Sequence, residues 1–170
     1  MVTIFKNAKV LDLTKEKGYY NGYVVVENDL ITYANEKEPQ IKADNQIDVK
    51  GNLLMPGFVN THAHTAMTIL RGIKDDATLQ DWLFENVVPR EGKLTNDDVY
   101  WGQMLGIAEY ARNGITAMEE NYFNYDGMTK AIAKTGIRAR VSVGAKIGTP
   151  DGYDCYADLK SQLLKSLKNI

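Results

Sequence analysis

The sequence predicts an α/β protein that contains the first three β/α units of a TIM-type barrel. Three observations lead there. Residues 1–54 read as short strands and turns, with no convincing helical period before Pro56. After Pro56 the pattern switches to alternating strand and helix signals in the order β-α-β-α-β-α, which predicts a parallel sheet with right-handed crossovers. A closed eight-stranded barrel takes about 250 residues, so residues 55–170 are expected to hold the start of one.

Taken in order, "TIFKNAKVLDL" predicts a strand, a break and a second strand. "GYVVVENDLITYAN" predicts a hairpin turning at Asn28-Asp29 between β-branched runs. Gly51-Asn52 predicts a turn before the apolar stretch Leu53 to Val59. "GFVNTHAH" reads as a short buried strand ending in polar residues, and "TLQDWLFENVV" as a helix stopping at Pro89. The next helix has Thr95 as its N-cap with Asp98 three residues on. An apolar stripe of Val99, Leu105, Ala108 and Ala111 is expected along it, with Asn113-Gly114 as its end. "ITAMEE" is then a strand, "YDGMTKAIAKTG" a helix closed by Gly136, and "IRARVSVGA" a further strand. Tyr156, Leu159, Leu163, Leu167 and Ile170 recur every three or four residues and predict an amphipathic helix.

The composition excludes several functions. The 170 residues are 44% hydrophobic and 25% charged, an ordinary globular balance. A net charge of −2 argues against a nucleic-acid surface. No apolar run approaches a membrane span. Met1 opens on "VTIFKNAKVL", which has no long apolar core, so no signal peptide is expected and a cytoplasmic location is the default. Cys155 is the only cysteine and has no disulfide partner within the chain. Self-association is left open.

The chemistry concentrates in "LLMPGFVNTHAHTAMTILRG". Alternate residues of a strand point to the same side, so His62 and His64 project together with only the small Ala63 between them. Two imidazoles at the C-terminal end of a first barrel strand suit a divalent metal of the zinc or iron type, and that end is the active-site face of a β/α barrel. An isolated H-x-H pair is more often a surface or core feature. Here it follows an apolar strand at the first βα junction. These are the only two histidines in the chain.

The segment "MPGFVNTHAHTAMTILRG" resembles the first-strand signature of the amidohydrolase superfamily. "DDATLQDWLFENVVPREGKLTNDDVYWGQMLGIAEYARNGITA" is similar to the methylthioadenosine/S-adenosylhomocysteine deaminases and to the related chlorohydrolases and cytosine deaminases. The resemblance runs along the whole chain but covers less than half of a typical member, so it implies an N-terminal portion. It implies a β/α barrel accompanied by a small β-sandwich, with residues 1–54 as the sandwich's N-terminal part and residues 55–170 as barrel. It implies one divalent metal, zinc or alternatively iron, held by the two first-strand histidines, two later histidines and an aspartate. The implied reaction is hydrolytic deamination of an adenosine-like nucleoside or nucleobase by metal-activated water, with a later glutamate moving the proton. Only His62 and His64 map onto that ligand set, and no catalytic proton-transfer residue falls within the chain. The chain by itself is therefore expected to be inactive, with at most weak metal affinity.

The resemblance also implies two substrate-binding residues. Glu91 matches a glutamate that binds the nucleoside ribose, and a carboxylate can accept from both hydroxyls of a cis-diol. A solvated acidic residue in a Pro/Gly-containing loop is the competing reading. Trp82 matches an aromatic near the substrate, or else is a buried helix anchor. Glu119 and Glu120 end the second barrel strand, where one of them could reach the site or both could be ordinary strand-end polar groups. One departure narrows the substrate. The adenosylhomocysteine deaminases tend to place arginines at and soon after the end of the third strand. Val143 stands at the first such position, with no arginine after Arg140. That argues against S-adenosylhomocysteine and leaves methylthioadenosine, adenosine or another aminated heterocycle. The alternatives are a chlorohydrolase or cyclic amidase of the same superfamily, and a non-catalytic or vestigial fragment acting as an interaction module.

Overall fold

The computed structural model describes residues 1–142. Val143, Cys155 and the amphipathic segment from Tyr156 to Ile170 lie outside the described residues. The chain divides into two compact units, Met1–Pro56 and Gly57–Ile170.

The first unit is built only of strands: β1 (Val2–Leu11), β2 (Tyr19–Glu27), β3 (Leu30–Asn35), β4 (Asn45–Asp48) and β5 (Leu53–Leu54). They form one sheet in the order β3-β2-β1-β4, with β5 also pairing β1. β1 pairs β2 antiparallel, and β4 and β5 lie parallel to β1. The expected break in the first segment is a bulge inside a continuous strand, between Phe5 and Ala8. Asn7 takes a left-handed φ of 56° there, and its amide donates to Asp48 Oδ1 at 3.1 Å. Asn28 turns the β2–β3 hairpin with φ 57°, a conformation that asparagine tolerates well. Ala8, Val10 and Val24 form the core of this unit, flanked by Phe5, Tyr20, Val26, Val49 and Leu54.

The second unit alternates strands and helices. β6 (Phe58–Ala63) leads into a 3-10 turn (Thr65–Leu70). A π-helical stretch (Asp81–Val87) continues into α1 (Val88–Glu91), followed by α2 (Asn96–Arg112), β7 (Ile115–Asn121), α3 (Tyr125–Thr135) and β8 (Arg138–Ser142). The three strands form a parallel sheet in the order β6-β7-β8. Ala66, Val99, Tyr122, Tyr125 and Met128 form its core, joined by Leu94, Ile132 and Val141.

The ends of α2 and α3 follow from sequence. Thr95 Oγ1 accepts from the Asp98 amide at 3.2 Å, and the Thr95 amide donates to Asp98 Oδ2 at 2.8 Å, a complete capping box. Gly136, with φ 71°, closes α3.

Three expectations are corrected. The helix does not stop at Pro89 but runs on to Glu91. The proline falls in the first turn of α1, directly after a π stretch in which the Val88 amide donates to the Leu83 carbonyl. The buried face of α2 is Val99, Gly102, Gln103, Gly106 and Ile107, whereas Leu105 is 48% exposed. Small residues line that face because the 3-10 turn packs directly on it: a Cβ at Gly102 would stand 2.4 Å from the Ala66 carbonyl oxygen. Finally, β6 is not a buried strand. Phe58 and Val59, on opposite faces of the strand, are 60% and 62% exposed, and β6 is an edge strand of this sheet among the described residues.

Candidate metal centre

His62 and His64 stand at the C-terminal end of β6 and just beyond it. In the β6–β7 register, Asn60 opposes Met118 and Ala63 opposes Glu120, so three steps on β6 face two on β7. This irregularity lies at the histidines. Ala63 is buried while both imidazoles are exposed. Tyr110 of α2 braces the region, since its hydroxyl accepts from Asn60 Nδ2 at 3.0 Å and shares a hydrogen bond with Thr65 Oγ1 at 3.0 Å. Asn60 Oδ1 in turn accepts from the His62 amide at 3.2 Å.

The two rings lie edge to face with centroids 5.0 Å apart. Two imidazoles sharing one tetrahedral ion at about 2.0–2.1 Å place their ring centroids about 5 Å apart, so the spacing fits a shared metal. His64 Nδ1 lies 2.6 Å from the Asn121 carbonyl oxygen. A carbonyl can only accept, so Nδ1 is the donor, an arrangement that in the neutral ring places the lone pair on Nε2. A metal-ligating histidine is commonly held in this way. Among the described residues, no third histidine, cysteine or carboxylate joins them in a group that could hold a metal. The pair lines a cleft of about 330 Å³ together with Thr68, Arg71, Glu109 and Tyr110. Arg71 closes one side through a two-pronged ion pair with Glu109, at 2.7 and 2.5 Å.

Glu91 and Trp82 are not among the residues lining that cleft. Glu91, half-buried at the end of α1, accepts from the Tyr122 hydroxyl at 2.8 Å. Tyr122 follows directly on Asn121, which holds His64. Burial, and then the bond to Glu91, push the Tyr122 phenol well above its ordinary range, so it remains a donor. Trp82 is half-buried in the π-helical stretch, with its amide bonded to the Thr78 carbonyl. No hydrogen bond or ring contact ties it to the histidines.

The two strand-end glutamates separate. Glu119 accepts from the Ser142 hydroxyl and pairs with Arg140 at 3.5 Å, engaged with β8 rather than with the histidines. Glu120 is fully buried. It accepts from the Thr65 amide at 3.2 Å, the Asn121 amide at 3.1 Å and Gln103 Nε2 at 2.9 Å. Sequence reasoning raised Glu120 only as one of two strand-end acids and missed its buried donors, Thr65 and Gln103. The available signal was the two-residue period on β7, which puts Glu120 on the same face as buried Met118.

The second unit is thus an α/β arrangement with a parallel sheet and a histidine pair at the end of its first strand. The amidohydrolase family pattern matches residues 53–158, and the chain belongs to that family. It is 41% identical to a 5-methylthioadenosine/S-adenosylhomocysteine deaminase of Acetivibrio thermocellus, over 83% of this chain and 34% of the relative. It is 44% identical to a 5′-deoxyadenosine deaminase of Methanosarcina barkeri, over 83% of this chain and 33% of the relative. The chain thus spans about a third of the length of these curated relatives. Among solved structures, a zinc-bound adenosine deaminase from Xanthomonas campestris matches with TM-score 0.72 and 29% identity, over 81% of this chain and 32% of that one. A zinc complex of atrazine chlorohydrolase from Arthrobacter aurescens TC1 matches with TM-score 0.79 at 17% identity, over 98% of this chain and 42% of that one, and shows the fold alone. These neighbours carry the TIM-barrel type of fold that the parallel β/α order predicted.

Proposed function

We propose that this chain supplies the first two metal ligands and the ribose-binding carboxylate of a hydrolytic deaminase acting on an adenosine-type nucleoside. In this reading residues 55–170 are the first three β/α units of the barrel and residues 1–54 the N-terminal part of a small β-sandwich. The carrying observation is the His62–His64 pair, with rings 5.0 Å apart and the Nδ1 proton of His64 committed to a carbonyl. The relatives' names supply the substrate class, and two of the named substrates, methylthioadenosine and 5′-deoxyadenosine, share an adenine amino group and a ribose. Val143, where the family's adenosylhomocysteine enzymes tend to place an arginine, favours a substrate without a carboxylate tail.

His62 and His64 would hold the metal, with zinc favoured by the imidazole donors and iron as the alternative. When bound, the metal acts as a Lewis acid that makes water nucleophilic near neutral pH. Deamination replaces the C–NH₂ of the heterocycle by a carbonyl and releases ammonia. Within this chain, Glu91 takes part by binding. One of its oxygens accepts from Tyr122, which leaves the remaining acceptor positions for ribose hydroxyls. Trp82 offers an apolar face to the substrate. Two imidazoles fall short of the three protein ligands of a catalytic zinc site, so the purified chain is expected to release no ammonia from adenosine or methylthioadenosine.

The nucleoside reading is tested by saturation-transfer NMR on the chain with zinc present. Methylthioadenosine should bind more tightly than its 2′,3′-dideoxy analogue, and Glu91→Gln should erase the difference. Equal binding of the two by the unaltered chain would contradict the assignment of Glu91.

A further inference from the structure

Glu120 is a fully buried carboxylate whose partners are all neutral N–H groups. Two of those donors flank the histidine site. The Thr65 amide belongs to the peptide that follows His64, and the Asn121 amide belongs to the residue whose carbonyl holds His64 Nδ1. One side chain therefore pins the backbone on both sides of the hydrogen bond that orients His64. The third donor, Gln103 Nε2, comes from α2, and its orientation leaves Gln103 Oε1 buried with no partner. Turning the amide over would set Oε1 against the carboxylate, so the orientation that donates to Glu120 is the favourable one even at the cost of an unpaired acceptor. Gly106, on the same helix face as Gln103, keeps the Thr65 segment close: a Cβ there would meet Thr65 Cγ2 at 2.3 Å.

We infer that Glu120 is a positioning residue for the metal site. It does not ligate the metal. It fixes the peptide after His64 and the Asn121 peptide so that His64 keeps its proton on Nδ1 and presents Nε2. The inference rests on the reading of His62 and His64 as metal ligands. Groups that hydrogen-bond a ligating histidine directly, as the Asn121 carbonyl would here, commonly change metal affinity by about 10–100-fold when removed, and Glu120 acts on that bond through the backbone.

The test uses the ¹⁵N-labelled 170-residue chain at one pH. Imidazole ¹⁵N spectra give the His64 tautomer, and competition with a chromophoric chelator gives zinc affinity. The wild-type chain should show the Nδ1-protonated tautomer without zinc. E120Q, which turns a donor toward groups that are themselves donors, should mix the tautomers and weaken zinc binding tenfold or more. Val99→Ala, a core truncation on α2, should destabilise the fold yet leave zinc affinity within twofold, which separates positioning from general stability. If E120Q does not fold, E120D replaces it with the same readouts. A folded Glu120 variant with wild-type tautomer and zinc affinity would overturn the inference, as would an Nε2-protonated His64 in the wild type. A wild-type chain that binds no zinc but holds the Nδ1 tautomer, lost in the Glu120 variant, would sink the metal reading and leave the positioning role standing.

Discussion

Three consecutive residues at the end of β7 each hold a group at or beside the proposed site. Glu120, Asn121 and Tyr122 at the end of β7 respectively pin the Thr65 amide, hold His64 Nδ1 and donate to Glu91. Tyr122→Phe removes a largely buried hydroxyl from a carboxylate, so a loss of about 1–3 kcal/mol is expected, read from urea unfolding. Zinc affinity should be unchanged, because that hydroxyl touches neither histidine. Of these residues, the histidines were legible in the sequence because their spacing and their "PGFVNTHAH" setting are local. Glu91 was legible only through resemblance. Glu120 was legible only as one of two strand-end acids, because an acidic residue at a strand end looks the same whether it faces solvent or three buried donors. Glu119 and Glu120 are adjacent and alike in sequence, and only the pleat sends one toward β8 and the other into the helix layer.

At the level of elements, α2 carries the most of what was legible and also the clearest miss. Its capping box was readable as Thr95 with Asp98, and Thr95→Ala should cost about 1 kcal/mol. Hydrogen bonds from the Thr95 hydroxyl, and then from its amide, lower the Asp98 pKa below its ordinary value. The unfolded chain therefore holds this proton more readily than the folded one. The contribution is fully present above about pH 4, where an unfolded aspartate is ionised, and is lost as the pH falls through the folded value. Asp98→Asn should flatten that part of the acid-denaturation curve, and an unchanged acid limb would contradict the assignment. The packing face was misread because it is lined by glycine and glutamine rather than by large apolar residues. Intrinsic propensity favours alanine over glycine by about 1 kcal/mol, yet Gly102→Ala and Gly106→Ala should both destabilise. The added methyl would meet Ala66 or Thr65 at 2.4 and 2.3 Å, and overpacking of this kind costs about 1–3 kcal/mol. Thermal melts of the two variants decide the sign. The helix before α2 shows the same limit, since a proline reads as a stop unless a π turn can be foreseen.

For the molecule as a whole, the switch from strands to alternating strands and helices was readable because it depends on periodicity alone. The division falls between Pro56 and Gly57. Burial was less legible. "GFVNTHAH" looks like an interior strand, yet Phe58 and Val59 are mostly exposed on an edge strand among the described residues. Burial depends on which elements cover a strand, and that information is not local to it. His62 and His64 are proposed to hold one divalent metal jointly. Isothermal titration of zinc into the purified chain tests it most directly, with His62→Ala, His64→Ala and the double variant alongside. Weak one-to-one binding is expected, abolished by each single substitution while circular dichroism stays unchanged. Zinc binding of the same strength and stoichiometry in the folded double variant would contradict it.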